Sequence, residues 1–286
     1  MPDVPKEQPS QKAYHTILEQ EITEGLRELE RPFSGLFISG VSAGLDVSFS
    51  LFLIAVTMSL FQGQLGRPLQ EVIAAAMYSV GFILVVLGRS ELFTEHTTRA
   101  VYPILHGRAS LHRLFRLWAI IYVANLIGSA TFARLTASVG PAMGIIDLWA
   151  LREISFRVVN HPGWVIFFSA LLAGWLMGLL SWLVSAARDT TSQILLVGII
   201  TWTIGIAHLH HAVVGNVEVL AGIFARRGPG WDSYGHFLLW TTLGNAVGGA
   251  FFVALFKYSH VIRGGIEPAP VQLEKESPVI IDTSAG

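Results

Sequence analysis

Two short polar runs interrupt an otherwise apolar chain, and they hold most of the residues that could do chemistry. The first reads Gly88-Arg89-Ser90-Glu91-Leu92-Phe93-Thr94-Glu95-His96-Thr97-Thr98, and the second Ala207-His208-Leu209-His210-His211-Ala212-Val213-Val214-Gly215-Asn216-Val217-Glu218. Charged groups at bilayer depth must face protein or a water-filled cavity. Histidine, with an ordinary pKa of about 6.5, is the side chain suited to exchanging protons near neutral pH. His211 is therefore either a buried neutral ring bonded to a backbone carbonyl or the proton partner of a passing solute. Thr94 either satisfies backbone freed by a helix break or donates its hydroxyl to that solute. Arg89 is expected to form an ion pair with Glu91, Glu95 or Glu218; otherwise it adds positive potential that draws anions in. His210 lies about 100° around any helix from His211 and is read as structural or as a subunit contact. His208, His210, His211 and Glu218 could in principle share a metal, but structural zinc wants a closed tetrahedral set, and no metal or cofactor is expected. Leu92 and Phe93 are candidates for narrowing the path, with Phe82 and Ile204 behind them.

The elements that must position these runs are membrane spans. The chain has 286 residues, 52% hydrophobic and only 14% charged, with mean hydropathy +0.55. A soluble domain carries about 25% charged residues, so much of this surface does not face water. A net charge of −1 argues against a nucleic-acid partner, which needs a clustered basic surface. The absence of cysteine excludes disulfides, thiol catalysis and Cys-ligated zinc. A bilayer core of about 30 Å needs roughly 20 apolar residues per helix. Six spans are expected, at 34–61, 71–105, 112–137, 163–187, 191–225 and 235–258, with a wetter interfacial connector over 138–162. Residues 1–32 form a polar segment with no signal-peptide core; Leu18, Ile22, Leu26 and Leu29 predict an amphipathic helix over 13–31. It could dock on its own protein or lie on lipid. The channel domain is placed at 33–260 and a disordered tail at 261–286.

The second and fifth spans are too long and too polar for single clean helices. Ser39-Gly40-Val41-Ser42-Ala43-Gly44 in span one matches Ser169-Ala170-Leu171-Leu172-Ala173-Gly174 in span four, 130 residues on. Ala124-Asn125-Leu126-Ile127-Gly128-Ser129-Ala130 in span three matches Gly244-Asn245-Ala246-Val247-Gly248-Gly249-Ala250 in span six, 120 residues on. Each unit has three crossings, so the second copy enters from the opposite side: two inverted three-helix repeats with broken second and fifth helices, an aquaporin-like, all-α architecture. Asn125 and Asn245 are read as braces for the breaks. The Gly40/Gly44 and Gly244/Gly248 spacings are read as close helix packing. With both termini inside, inner segments carry 12 Lys and Arg and outer ones 6, Arg89 being left within span two; both termini are therefore expected in the cytoplasm.

The Glu91-Leu92-Phe93-Thr94 run followed by His96-Thr97, the central His211, and the asparagine–glycine motifs at Asn125 and Asn245 resemble the formate/nitrite transporter family over about residues 30–260. The resemblance implies a homopentamer in the cell (inner) membrane. Each subunit would pass a small monovalent anion or its weak acid, such as formate, nitrite, lactate or hydrosulfide. The chain departs from that pattern at Arg89 and Glu95, where small residues are usual. It has Gly215, with Asn216 one place later, for an asparagine. It lacks a clear match for an outer lysine, for which Arg157 or His161 could substitute. Three rival readings stand beside this one, the third, kept open by Arg89 and Glu95, being a structural or sensing membrane protein descended from a channel. An aquaporin-like channel for neutral solutes would have Asn-Pro-Ala motifs, which the chain lacks. A membrane-embedded metal-dependent enzyme would use the three histidines and Glu218, although no enzymatic role is expected.

Overall fold

The computed structural model describes residues 12–264; residues 1–11 and 265–286, the start of the polar N-terminal segment and most of the tail named above, lie outside the described residues. Among the described residues every regular element is helical. Five helices are long and apolar enough to cross a membrane: Phe33–Leu60, Arg67–Gly88, Leu111–Ala142, Gly163–Ala186 and Trp231–Arg263. Two shorter apolar helices, Thr190–Ile206 and Ala212–Phe224, lie between the last two.

In chain order, α1 is Tyr14–Glu30, and the first long helix is α2 (Phe33–Val47) and α3 (Phe49–Leu60), bent at Ser48. The hydroxyl of Ser48 donates to the carbonyl of Gly44, 2.6 Å away, a back-bond that bends helices. Then come α4 (Arg67–Gly88), α5 (Phe93–Arg99), α6 (Tyr102–Leu105), α7 (Leu111–Ala142), α8 (Leu148–Val159), α9 (Gly163–Ala186), α10 (Thr190–Ile206), α11 (Ala212–Phe224) and α12 (Trp231–Val247). A π-helical stretch, Gly248–Leu255, leads into α13 (Phe256–Arg263). The last helix therefore runs on through residues 261–263, which the sequence reading assigned to the tail. Apolar side chains on its final turn keep it docked: Val261 is fully buried beside Tyr102 and Trp182.

Helices α2 and α7 pack against each other, as do α9 and α12. Small residues permit both approaches. A Cβ on Gly44 would collide with the Asn125 backbone, and one on Gly174 would collide with that of Asn245. Gly128 and Gly248 meet the carbonyls of Val41 and Leu171 in the same way. α4 pairs with α10, and α11 fills the space beside α7 and α8.

The amphipathic stripe of α1 is buried on the protein itself. Ile17, Leu18, Ile22 and Leu26 pack with Tyr102, Trp182, Ala254 and Val261, and Gly25 sits against the Arg99 carbonyl and Pro103. Of the two placements open to this helix, the structure has the docked one. Exposed Trp149, Trp164 and Trp231 start helices at the end opposite α1, where amphipathic rings suit a membrane–water boundary.

A buried septum between two cavities

α4 is a ruler for the site. Near its start, Glu71, Ala74, Ala75 and Tyr78 line a cavity of about 80 Å³, closed by Arg157 and His161 from the α8 side and by His208, Leu209 and Glu218. Near its end, Val85, Val86 and Arg89 line a larger cavity of about 380 Å³, with Arg27, Glu28 and Arg31 of the α1 region and Glu91, Glu95 and Arg99. Tyr78 and Val85 are seven residues apart, about 10 Å of helix rise. The septum in that interval is fully or almost fully buried: Phe82, Leu92, Thr94 and His211.

At its centre, Thr94 Oγ1 and His211 Nε2 are 2.8 Å apart. His211 also caps α11, its Nδ1 accepting from the backbone N–H of Val214 at 3.3 Å. A backbone N–H only donates, so in the neutral ring the proton sits on Nε2 and is donated to Thr94. The threonine hydroxyl keeps its own proton for another acceptor. Phe82 stands edge-on to the imidazole, ring centroids 5.2 Å apart, and Tyr78 stacks on Phe82 at 5.3 Å.

Two short loops bring these groups together. α4 ends at Gly88 and α5 starts at Phe93; α10 ends at Ile206 and α11 starts at Ala212. Each loop turns on a residue in left-handed conformation, Arg89 (φ 53°) and His208 (φ 49°). Asn125 accepts from the Phe93 N–H and donates to the carbonyls of Glu91 and Gly40, all at 2.8 Å. Asn245 accepts from the Ala212 N–H and donates to the carbonyls of Ala170 and His210, at 2.8, 2.8 and 3.0 Å. Ser39 accepts from the Glu91 N–H and Ser169 from the His210 N–H, each at 3.1 Å. The asparagines are thus braces: they satisfy backbone groups that the loops would otherwise leave orphaned.

The other expected site residues fall into place around this core. Phe93 is buried, but its ring packs against Tyr122 and Trp118 at 4.8 and 6.1 Å, while Phe82 is the aromatic on the imidazole. Arg89 is exposed at the mouth of the larger cavity, and among the described residues no carboxylate lies within ion-pairing distance of it. The expected pairing with Glu91, Glu95 or Glu218 is corrected for a physical reason: Arg89 is exposed to solvent, while Glu91 and Glu95, which line the same cavity, are taken by other cations. Glu91 pairs with Arg31 and His96; Glu95 pairs with Arg99 at 2.7 Å. Glu218 lies in the smaller cavity without a salt bridge, because Arg157 binds Glu71 at 2.9 Å. The three histidines face three different ways: His208 towards Glu71, His210 towards Ser169 and the Val158 carbonyl, and His211 towards Thr94. Asn216 bonds Ser129 and Tyr234, outside the septum.

Sequence reasoning missed an ionic cluster at the α1 end. His96 lies between Glu28, at 2.6 Å, and Glu91. Both of its ring nitrogens face carboxylate oxygens, which only accept, so the ring is placed to donate twice. Arg99 faces Glu28 at 3.3 Å and Glu21 at 3.5 Å. Burial pushes the Glu21 carboxyl above the ordinary carboxylate range, against the pull of Arg99 and of the Ser185 hydroxyl. Two signals were in the sequence: Arg99 stands four residues after Glu95, and Glu21, Glu24 and Glu28 recur at helical spacing.

The family model described as "Formate/nitrite transporter" matches residues 15–259. The chain belongs to the formate/nitrite transporter family. Among family relatives, the inner membrane protein YfdC of Escherichia coli (strain K12) is 30% identical over 241 residues, covering 83% of this chain and 76% of that protein. The nitrite transporter NirC of Salmonella typhimurium (strain LT2) is 26% identical over 84% of this chain and 88% of its own length. A solved formate/nitrite transporter (FNT) family ion channel superposes with TM-score 0.74 at 23% identity, over 85% of this chain and 97% of that one. A pentameric formate channel with formate bound gives TM-score 0.68 at 21% identity, over 80% and 98%. These structures share the fold. With its apolar helices, this family member is a multi-pass membrane protein.

Proposed function

We propose that the chain is a channel-like transporter for a small monovalent anion or its weak acid, with one pore through each subunit. The observation that carries this is the Thr94–His211 bond inside a septum about 10 Å thick that parts two cavities. α5 and α11 both begin there, and helix N-termini carry partial positive charge that favours an anion. The threonine hydroxyl is free to donate to it, while Phe82 and Leu92 exclude water. A bare charge crosses such a septum at high cost; a protonated weak acid does not. His211 is the proton partner: it takes a proton at Nδ1 by giving up the Val214 cap, then hands the Nε2 proton to the anion. Losing the cap makes the charged ring short-lived, which suits a carrier.

The same reading has six spans in two inverted three-helix repeats, the second and fifth broken at residues 89–92 and 207–211. The matched asparagine and serine bonds support it. α1 and both termini are cytoplasmic, so the larger cavity is the inner vestibule and the smaller the outer. Five subunits assemble, as in the pentameric formate channel of like fold.

The test is uptake of formate and nitrite by proteoliposomes as pH is stepped. Passage that rises as pH falls is expected. His211→Asn keeps an acceptor for the Val214 N–H but cannot titrate. It should leave the protein folded and alter the pH profile. No passage at any pH, with a control channel active, sinks the reading; an unchanged profile removes His211 from the proton step.

A further inference from the structure

Resting on that reading, we propose that the Glu218 carboxyl, which shares the outer cavity with the unpartnered Tyr78 hydroxyl, is a second proton-exchange site between outer water and the septum. Glu218 lies seven residues after His211, two turns along α11. It lines a cavity whose apolar wall includes Ile54, Met58, Ala74, Ala75 and Ile204 and whose other polar groups are Glu71, Tyr78, Arg157, His161 and His208. A carboxyl in such surroundings is costly unless it is paired or used.

It is not paired. Among the described residues no cation lies within salt-bridge distance of it. Every charged or titratable group facing it has another partner or none. Arg157 of α8 binds Glu71 at 2.9 Å and Glu153 at 3.8 Å. Glu71 of α4 also meets Arg67 at 3.8 Å and His208 at 3.4 Å. His161 stands edge-on to His210, ring centroids 5.5 Å apart. Tyr78 of α4 is 5% exposed, and its hydroxyl oxygen is buried with no hydrogen-bond partner among the described residues. An orphaned phenol beside an unpaired carboxyl leaves a donor and an acceptor facing the same small space. The Tyr78 ring also leads straight to the septum, stacked on Phe82, which abuts His211.

The exchange balances simply. The protonated carboxyl gives its proton to an oxygen of the entering anion, which moves on as the neutral acid. The carboxylate left behind accepts a hydrogen bond from Tyr78 and takes a new proton from outer water. Outward passage runs the steps in reverse.

The experiment holds inner pH fixed in proteoliposomes and steps outer pH over roughly 5 to 8, around the range where carboxyl and imidazole exchange matter, with formate and nitrite as probes. Wild type should lose flux as outer pH rises. Glu218→Gln should lose that outer-pH dependence while keeping the response to inner pH, and Glu218→Asp should retain both. Infrared difference spectra of the reconstituted protein supply a readout free of transport: a carboxylic C=O band that titrates with pH and vanishes in Glu218→Gln. A wild-type outer-pH profile in Glu218→Gln, or no such band, overturns the proposal. A wild-type protein that passes neither probe sinks the transport reading instead, and the infrared band then decides for Glu218 alone.

Discussion

The loop at residues 89–92 and the loop at 208–211 share one backbone and differ in almost every side chain. Both turn on a left-handed residue, both are held by an asparagine through three bonds, and both lean on a serine. At the position whose N–H meets the serine, one carries Glu91 and the other His210. Glu91 is tied to Arg31 and His96 by charge. His210 is tied to Ser169 and a backbone carbonyl by neutral bonds at 2.8 and 3.0 Å. At the next position Leu92 is fully buried in the septum, while His211 bonds Thr94. The backbone must be satisfied in both loops, and both carry the same braces. The side chains answer to different surroundings, and they differ.

The comparison can be broken most directly at the braces. Asn125→Ala and Asn245→Ala each orphan a buried N–H and two carbonyls, and each should destabilise by about 3 kcal/mol or more at 1–3 kcal/mol per lost group. Thermal unfolding in detergent measures it; a large loss at one site and none at the other would end the equivalence. Next come the side chains that differ. Glu91→Gln strands His96 and Arg31 and should cost about 2 kcal/mol, below the usual figure for a buried pair because Arg31 is partly exposed. His210→Gln should cost about 1 kcal/mol. Added salt should narrow the gap between wild type and Glu91→Gln and leave the His210 variant unmoved. The smallest effect is a gain. Arg89 holds an unpaired side chain in left-handed backbone, a strain of about 1 kcal/mol, so Arg89→Gly should raise stability by about that amount. If it falls instead, the Arg89 side chain has a partner that matters more than its φ angle.

Much of this was legible in the sequence because burial in a bilayer leaves few options. Charges at Arg89, Glu91 and Glu95 inside an apolar stretch demanded a cavity, and Asn125 and Asn245 were legible as braces; Ser39 and Ser169 were legible only as matched positions, and their bonds to the loops were not. What stayed hidden was partner choice. Nothing in the spacing of Glu91 points to Arg31, 60 residues earlier, because the contact exists only once α1 docks. Arg89 was the expected partner, but Glu91 is held by Arg31 and His96 and Glu95 by Arg99. Phe93 looked like a plug beside Leu92, yet successive residues at a helix start point in different directions, and Phe82 of α4 stands against the imidazole. The acids of α1 read as a solvated face, although Glu21 is fully buried.

The thinness of the septum has an electrical consequence. In the proposed channel, with conducting water in both cavities, a membrane voltage would fall almost wholly across the buried interval between Tyr78 and Val85, not across the full bilayer. Moving one elementary charge through it then involves the whole electrical work, about 2.3 kcal/mol per 100 mV, concentrated in about a third of the usual 30 Å thickness. An uncharged acid crossing the same interval feels none of it. Under the proposed transport of a weak acid, voltage would therefore separate the two forms of the solute at the septum.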